Sequence, residues 1–124
     1  MNTEFQLERG QVLMRALLRT ATQYITQLSY MKPGSPKLPE IKKYYTRKIN
    51  GFLAEVEKLP QEEQVEVFGS LIMMRDKYRK QEILKKRTLQ FAFAKECKIR
   101  HEAITKIFDI KEIRGQKQIQ QMEK

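Results

Sequence analysis

No glycine or proline occurs between Ser70 and Gly115. That gap constrains the fold more than any other feature, because the two residue types that interrupt helices are missing from over a third of the chain. Its apolar residues, Leu71/Ile72, Met74 and Tyr78, recur at helical rather than alternating spacing. One unbroken helix of that length would be unusual in a small domain, so a break is predicted within residues 79–87. The chain has 124 residues, of which 40% are hydrophobic. It has the size of one ordinary domain with a thin core, which makes a homodimer an expected source of further burial.

The remaining sequence is also helical in pattern. Thr3 and Gln6 have capping-box spacing. They precede an amphipathic helix over about residues 4–30, with Val12/Leu13, Ala16/Leu17, Ala21, Tyr24/Ile25 and Leu28 on its apolar side. Pro33, Gly34, Pro36 and Pro39 mark residues 31–39 as a connector. A second helix follows over about 40–58, with Ile41, Tyr45, Phe52 and Val56 near one face. Leu59-Pro60-Gln61-Glu62-Glu63 reads as a helix restart, with carboxylates near the positive end of the helix dipole. The glutamine-rich tail from Ile113 is expected to fray. The predicted organisation is a helical pair at 1–58, a basic helix plus a reading unit at 59–112, and the tail at 113–124, all in one structural domain.

The reading unit is predicted from five positions. A helix-turn-helix needs a small residue where its helices cross. Apolar residues then follow three, five, ten and thirteen positions later. Ala94, Cys97, Ile99, Ile104 and Ile107 satisfy this order. The turn would fall at 98–100, with Lys98 where a left-handed glycine is usual. The expected fold class is therefore all-α, a helical bundle with a C-terminal helix-turn-helix. Arg100 at the turn, with His101, Glu102, Thr105 and Lys106 of the second helix, would face the bases of double-stranded DNA. Lys85, Lys86, Arg87, Lys95 and Lys98 would contact phosphate.

Charge supports that partner. The chain carries a formal net charge of +10. Residues 75–100 hold ten basic and three acidic side chains, whereas residues 55–66 hold five glutamates and one lysine. A cluster of one sign beside the reading unit is what phosphate binding requires. Tyr44-Tyr45, next to Lys42, Lys43, Arg47 and Lys48, offers either a stacking platform for single strands or one core and one surface tyrosine. A single cysteine, Cys97, and a single histidine, His101, cannot form an internal disulfide or a structural zinc site. Cys97 reads as a small core residue and His101 as a surface residue. No phosphate loop, nucleophile elbow or metal-spaced acidic pair occurs. The expectation is a cytoplasmic non-enzyme with no cofactor and no membrane association. Two other readings stand beside DNA binding: a basic adaptor or inhibitor for an acidic protein, and an RNA-binding helical protein.

The layout resembles the small late-transcription regulators of Gram-positive bacteriophages, of the ArpU and RinA type. The points of contact are Gly34-Ser35-Pro36, the Leu59-Pro60-Gln61-Glu62-Glu63 opening, and the Ala94–Ile107 spacing, similar to sigma-factor region 4. The resemblance implies a phage-encoded transcriptional regulator that binds promoter DNA in a sequence-specific way, with RNA polymerase as a further partner.

Overall fold

Four helices account for nearly all of the chain: α1 (Asn2–Tyr30), α2 (Leu38–Glu57), α3 (Gln61–Arg87) and α4 (Phe91–Glu123). They were obtained as a computed structural model, which describes residues 2–123, with side chains from 9 to 122. The all-α expectation is met. The Thr3–Gln6 pair lies outside the described side chains. α2 starts with Pro39 in its first turn, where a missing amide hydrogen costs nothing. Pro60 is the N-cap of α3. Gly34 takes the connector through a positive φ of 79°, a conformation natural to glycine.

Side-chain pairs set the register of the bundle. Tyr24 of α1 stacks on Tyr45 of α2 at 5.1 Å, and Arg9 meets Glu55, so these helices are antiparallel. Phe68 packs on Phe108, Arg79 reaches Thr105 and Lys85 lies over Phe93. α3 and α4 are therefore antiparallel along their whole contact. Lys95 sits over the Tyr30 ring, which places the end of α1 beside the first turns of α4. α1 touches all three other helices. The core between them includes Leu17, Ile49, Leu53, Val56, Leu71, Ile104 and Ile107, each less than 2% exposed.

The predicted turn at 98–100 is corrected: those residues are helical, and α4 runs without interruption from Phe91. The reason lies in the geometry of the motif positions. At about 100° per residue, Ala94, Cys97, Ile104 and Ile107 fall on one broad arc of a continuous helix. There they are all buried. Ile99 lies on the adjoining arc and is half-buried. A spacing that suits two crossed helices thus also suits one helix buried on two sides. Lys98 stays in the right-handed region and avoids roughly 1 kcal/mol of left-handed strain.

The actual break is at Thr88-Leu89-Gln90, just past the predicted window. The Gln90 amide donates to the Lys85 carbonyl at 2.7 Å and the Leu89 amide to that of Lys86 at 3.1 Å. This paired closure is a Schellman motif, which requires a left-handed residue between its two bonds. Leu89 occupies that place with φ 59°. α4 continues through Glu123, and Arg114 ties it to α2 by donating to both Glu57 oxygens at 2.9 and 2.7 Å. That guanidinium holds the Glu57 carboxyl below its ordinary pKa.

Candidate nucleic-acid interface

The register divides the molecule by charge. Tyr24 is level with Tyr45, Tyr30 with Lys95, and Tyr78 with Arg100, so residues 21–48 and 76–104 form one half of the bundle. That half carries fifteen of the 25 Lys and Arg residues but five of the 15 Asp and Glu. The whole net charge of +10 therefore resides there. All fifteen cations except Lys85 are exposed. Two of them have a carboxylate partner among the described residues, Arg79 with Asp76 and Lys86 with Glu82. The opposite half balances its charges and contains Glu55, Glu57, Glu62, Glu63 and Glu66.

Folding brings together two clusters that are remote in sequence. Lys42, Lys43, Arg47 and Lys48 of α2 join the cations of the α3–α4 hairpin. Lys42 and Lys106 line the same groove beside Tyr24. Part of the hairpin charge has a local structural role: Lys85, Lys86 and Arg87 occupy the last turn of α3, where cations offset the negative end of the dipole. The first turn of α4 has no acidic residue, so its unpaired amides add to the positive field around the turn.

The sites expected to contact phosphate remain on the surface. Lys86, Arg87, Lys95 and Lys98 are exposed and Lys85 is half-buried. They cluster within three turns of Leu89. The five residues expected to face bases do not form one free face. His101 is half-buried, and its Nε2–H donates to Glu82 Oε1 at 2.6 Å. Lys86 and then His101 hold the Glu82 carboxyl below its ordinary pKa. Thr105 donates to the His101 carbonyl and accepts from Arg79. Both residues thus point at α3. Glu102 and Lys106 are half-buried on other sides of α4, and only Arg100 is exposed, with its guanidinium 5.5 Å from the Tyr78 ring centre. Ala103, Ile104 and Ile107 are wholly buried between these positions. The five residues are therefore spread around α4, with His101 and Thr105 engaged by α3.

Cys97 and the tyrosine pair take their expected places. Cys97 is buried against α3, within 3.8 Å of Gln81 Oε1. Tyr45 is in the core and Tyr44 on the surface. His101 departs from its expected surface position because Glu82 lies across the hairpin. No helix of the described residues is long and apolar enough to cross a membrane. Among them no cluster of three or more His, Cys, Asp or Glu has metal-binding geometry.

The sequence reading placed Tyr44 on the surface but missed the other exposed rings. Among the described residues the exposed aromatics are Tyr30, Tyr44, Phe91 and Phe93, and all four lie in the basic half. Ile83, Leu84 and Leu89 are also exposed around the turn. The only sequence signal was apolar residues at positions that a helical repeat does not bury. No family model, curated protein or solved structure matches this chain.

Proposed function

We propose that this protein binds nucleic acid along its phosphate backbone, through the basic half of the bundle around the α3–α4 turn. The carrying observation is that the entire net charge gathers in that half on side chains that are nearly all exposed, and twelve of the exposed cations have no carboxylate partner among the described residues. From Leu89 to the level of Ile104 the surface extends about 22 Å at 1.5 Å per residue. A duplex presents a phosphate charge about every 1.7 Å of its axis, so the surface is long enough for several contacts. Lys85, Lys86, Arg87, Lys95 and Lys98 supply the central ones. The proposal does not include a base-reading helix. It is also independent of the phage-regulator resemblance, one of whose points of contact, the Ala94–Ile107 spacing, lies within one helix.

Backbone binding has a measurable signature. With about six phosphates neutralised, affinity is expected to fall about 1,000-fold for a duplex and about 300-fold for a single strand between 50 and 200 mM salt. Neutralising Lys85, Lys86 and Arg87 together to glutamine is expected to flatten the log–log salt slope by about 2–3 and to weaken all sequences alike. Fluorescence anisotropy on two unrelated sequences measures both. A salt-independent affinity, or a slope unchanged in the triple variant, would refute the proposal. Exposed Ile83, Leu84 and Leu89 favour a second reading, an acidic protein partner with an apolar surface. Under that reading an acidic polypeptide would displace the oligonucleotide at equal charge.

A further inference from the structure

We infer that the strand this surface prefers is single, with its bases stacked on exposed rings beside the hairpin turn. The inference rests on the nucleic-acid reading above and adds the form of the ligand. Phosphate binding alone needs only cations, and it does not account for four exposed rings in the basic half.

The rings are paired with the cations. Lys95 Nζ lies 5.5 Å from the centre of the Tyr30 ring, Lys85 Nζ lies 5.8 Å from Phe93, and Lys48 Nζ lies 4.9 Å from Tyr44. Phe91 is one turn before Lys95 on the same face of α4, the i, i+4 relation. Lys95 is therefore flanked by Tyr30 and Phe91, which are 77% and 62% exposed. Each pair presents the complement of one nucleotide: an apolar π-face for the base and a positive charge for its phosphate. In a duplex the bases are already stacked on one another and their faces are hidden. In a single strand they are available, and stacking on an aromatic side chain is tolerant of sequence.

The placement of the rings favours a strand over a lipid surface. Phe91 and Phe93 are two positions apart and so lie about 200° apart around α4. Lys95 and Tyr30 belong to the Phe91 flank, whereas Lys85 belongs to the Phe93 flank. A flexible strand can pass over the turn and use both flanks. A flat bilayer surface meets one of them.

The test compares a labelled dT20 strand with a 20-base-pair duplex at 100 mM salt, using the full chain, Phe91→Ala, Phe93→Ala and the double variant. The rings are mostly solvent-exposed, so the variants are expected to fold, as circular dichroism would verify. The wild type is expected to bind dT20 at least about 10-fold more tightly than duplex. The double variant is expected to lose about 25-fold or more on dT20, given roughly 5- to 100-fold per stacked ring, and less than 2-fold on duplex. Equal losses on both ligands, or none on either, would overturn single-strand stacking while leaving backbone binding intact. Phe-dependent binding to vesicles of anionic phospholipid, with dT20 affinity unchanged in the variants, would assign the rings to lipid instead. Failure of the wild type to bind either oligonucleotide even at 25 mM salt would remove the nucleic-acid reading itself, and this inference with it.

Discussion

Replacing Lys98 by proline is expected to destabilise the protein by at least about 3 kcal/mol. Lys98 is helical and exposed, so its side chain contributes little burial and the effect belongs to the backbone. Proline removes the amide hydrogen that an α-helix directs to the carbonyl four residues earlier, here Ala94, and its ring collides with that carbonyl. Glycine at the same position separates the two backbone readings by sign. In a continuous helix Lys98→Gly costs about 1 kcal/mol, because glycine loses more chain entropy on folding. In a left-handed turn it would instead relieve strain. Leu89 provides the matching control. It holds φ 59° and is 74% exposed, so Leu89→Gly removes left-handed strain with little loss of packing. A net gain of about 0.5–1 kcal/mol is expected after the entropy cost of glycine. Urea unfolding followed by circular dichroism reads all three. Stabilisation by Lys98→Gly, with destabilisation by Leu89→Gly, would return the turn to residues 98–100.

The second large effect is in the core. Ile104 is wholly buried, on the arc of α4 that faces α3. Truncation to alanine removes three methyl or methylene carbons and leaves a cavity that straight, mutually packed helices close only in part. A loss of about 3 kcal/mol is expected, within the range of roughly 2–5 for such changes. For a domain of this size that corresponds to a fall in Tm of about 10 °C. The urea midpoint should fall with its slope preserved, since the surface exposed on unfolding hardly changes. A loss below about 1 kcal/mol would mean that the helices collapse around the site and that the α3–α4 contact is looser than described.

Much of this fold was legible in the residues. The prolines at 33, 36 and 39 placed the first connector, and Leu59-Pro60 placed the second break. Leu17, Tyr45, Leu71 and Cys97 fell on predicted apolar faces and are buried or nearly so. The α3–α4 turn was less legible because its chemistry is local and unmarked. Thr88, Leu89 and Gln90 include no glycine, proline or asparagine, and the left-handed residue is a leucine. Only the argument from length predicted a break there, a few residues early. The helix-turn-helix positions misled for a stated reason: small and apolar residues at 94, 97, 104 and 107 are equally those of one buried helical face. The charge cluster at 75–100 was visible in the sequence. Its union with Lys42–Lys48, and the pairing of Tyr30 with Lys95, depend on helices that meet only after folding.

The claim that joins these observations is that nucleic acid binds the basic half of the bundle and leaves the charge-balanced half untouched. An amide-resolved NMR titration with dT20 tests it most directly. The account predicts shift changes confined to residues 28–48 and 77–100, with the largest around Lys85, Phe91, Phe93 and Lys95, and unchanged signals for residues 53–70. Changes centred on residues 53–70, or on the interior positions His101 and Thr105 with the turn unaffected, would contradict it.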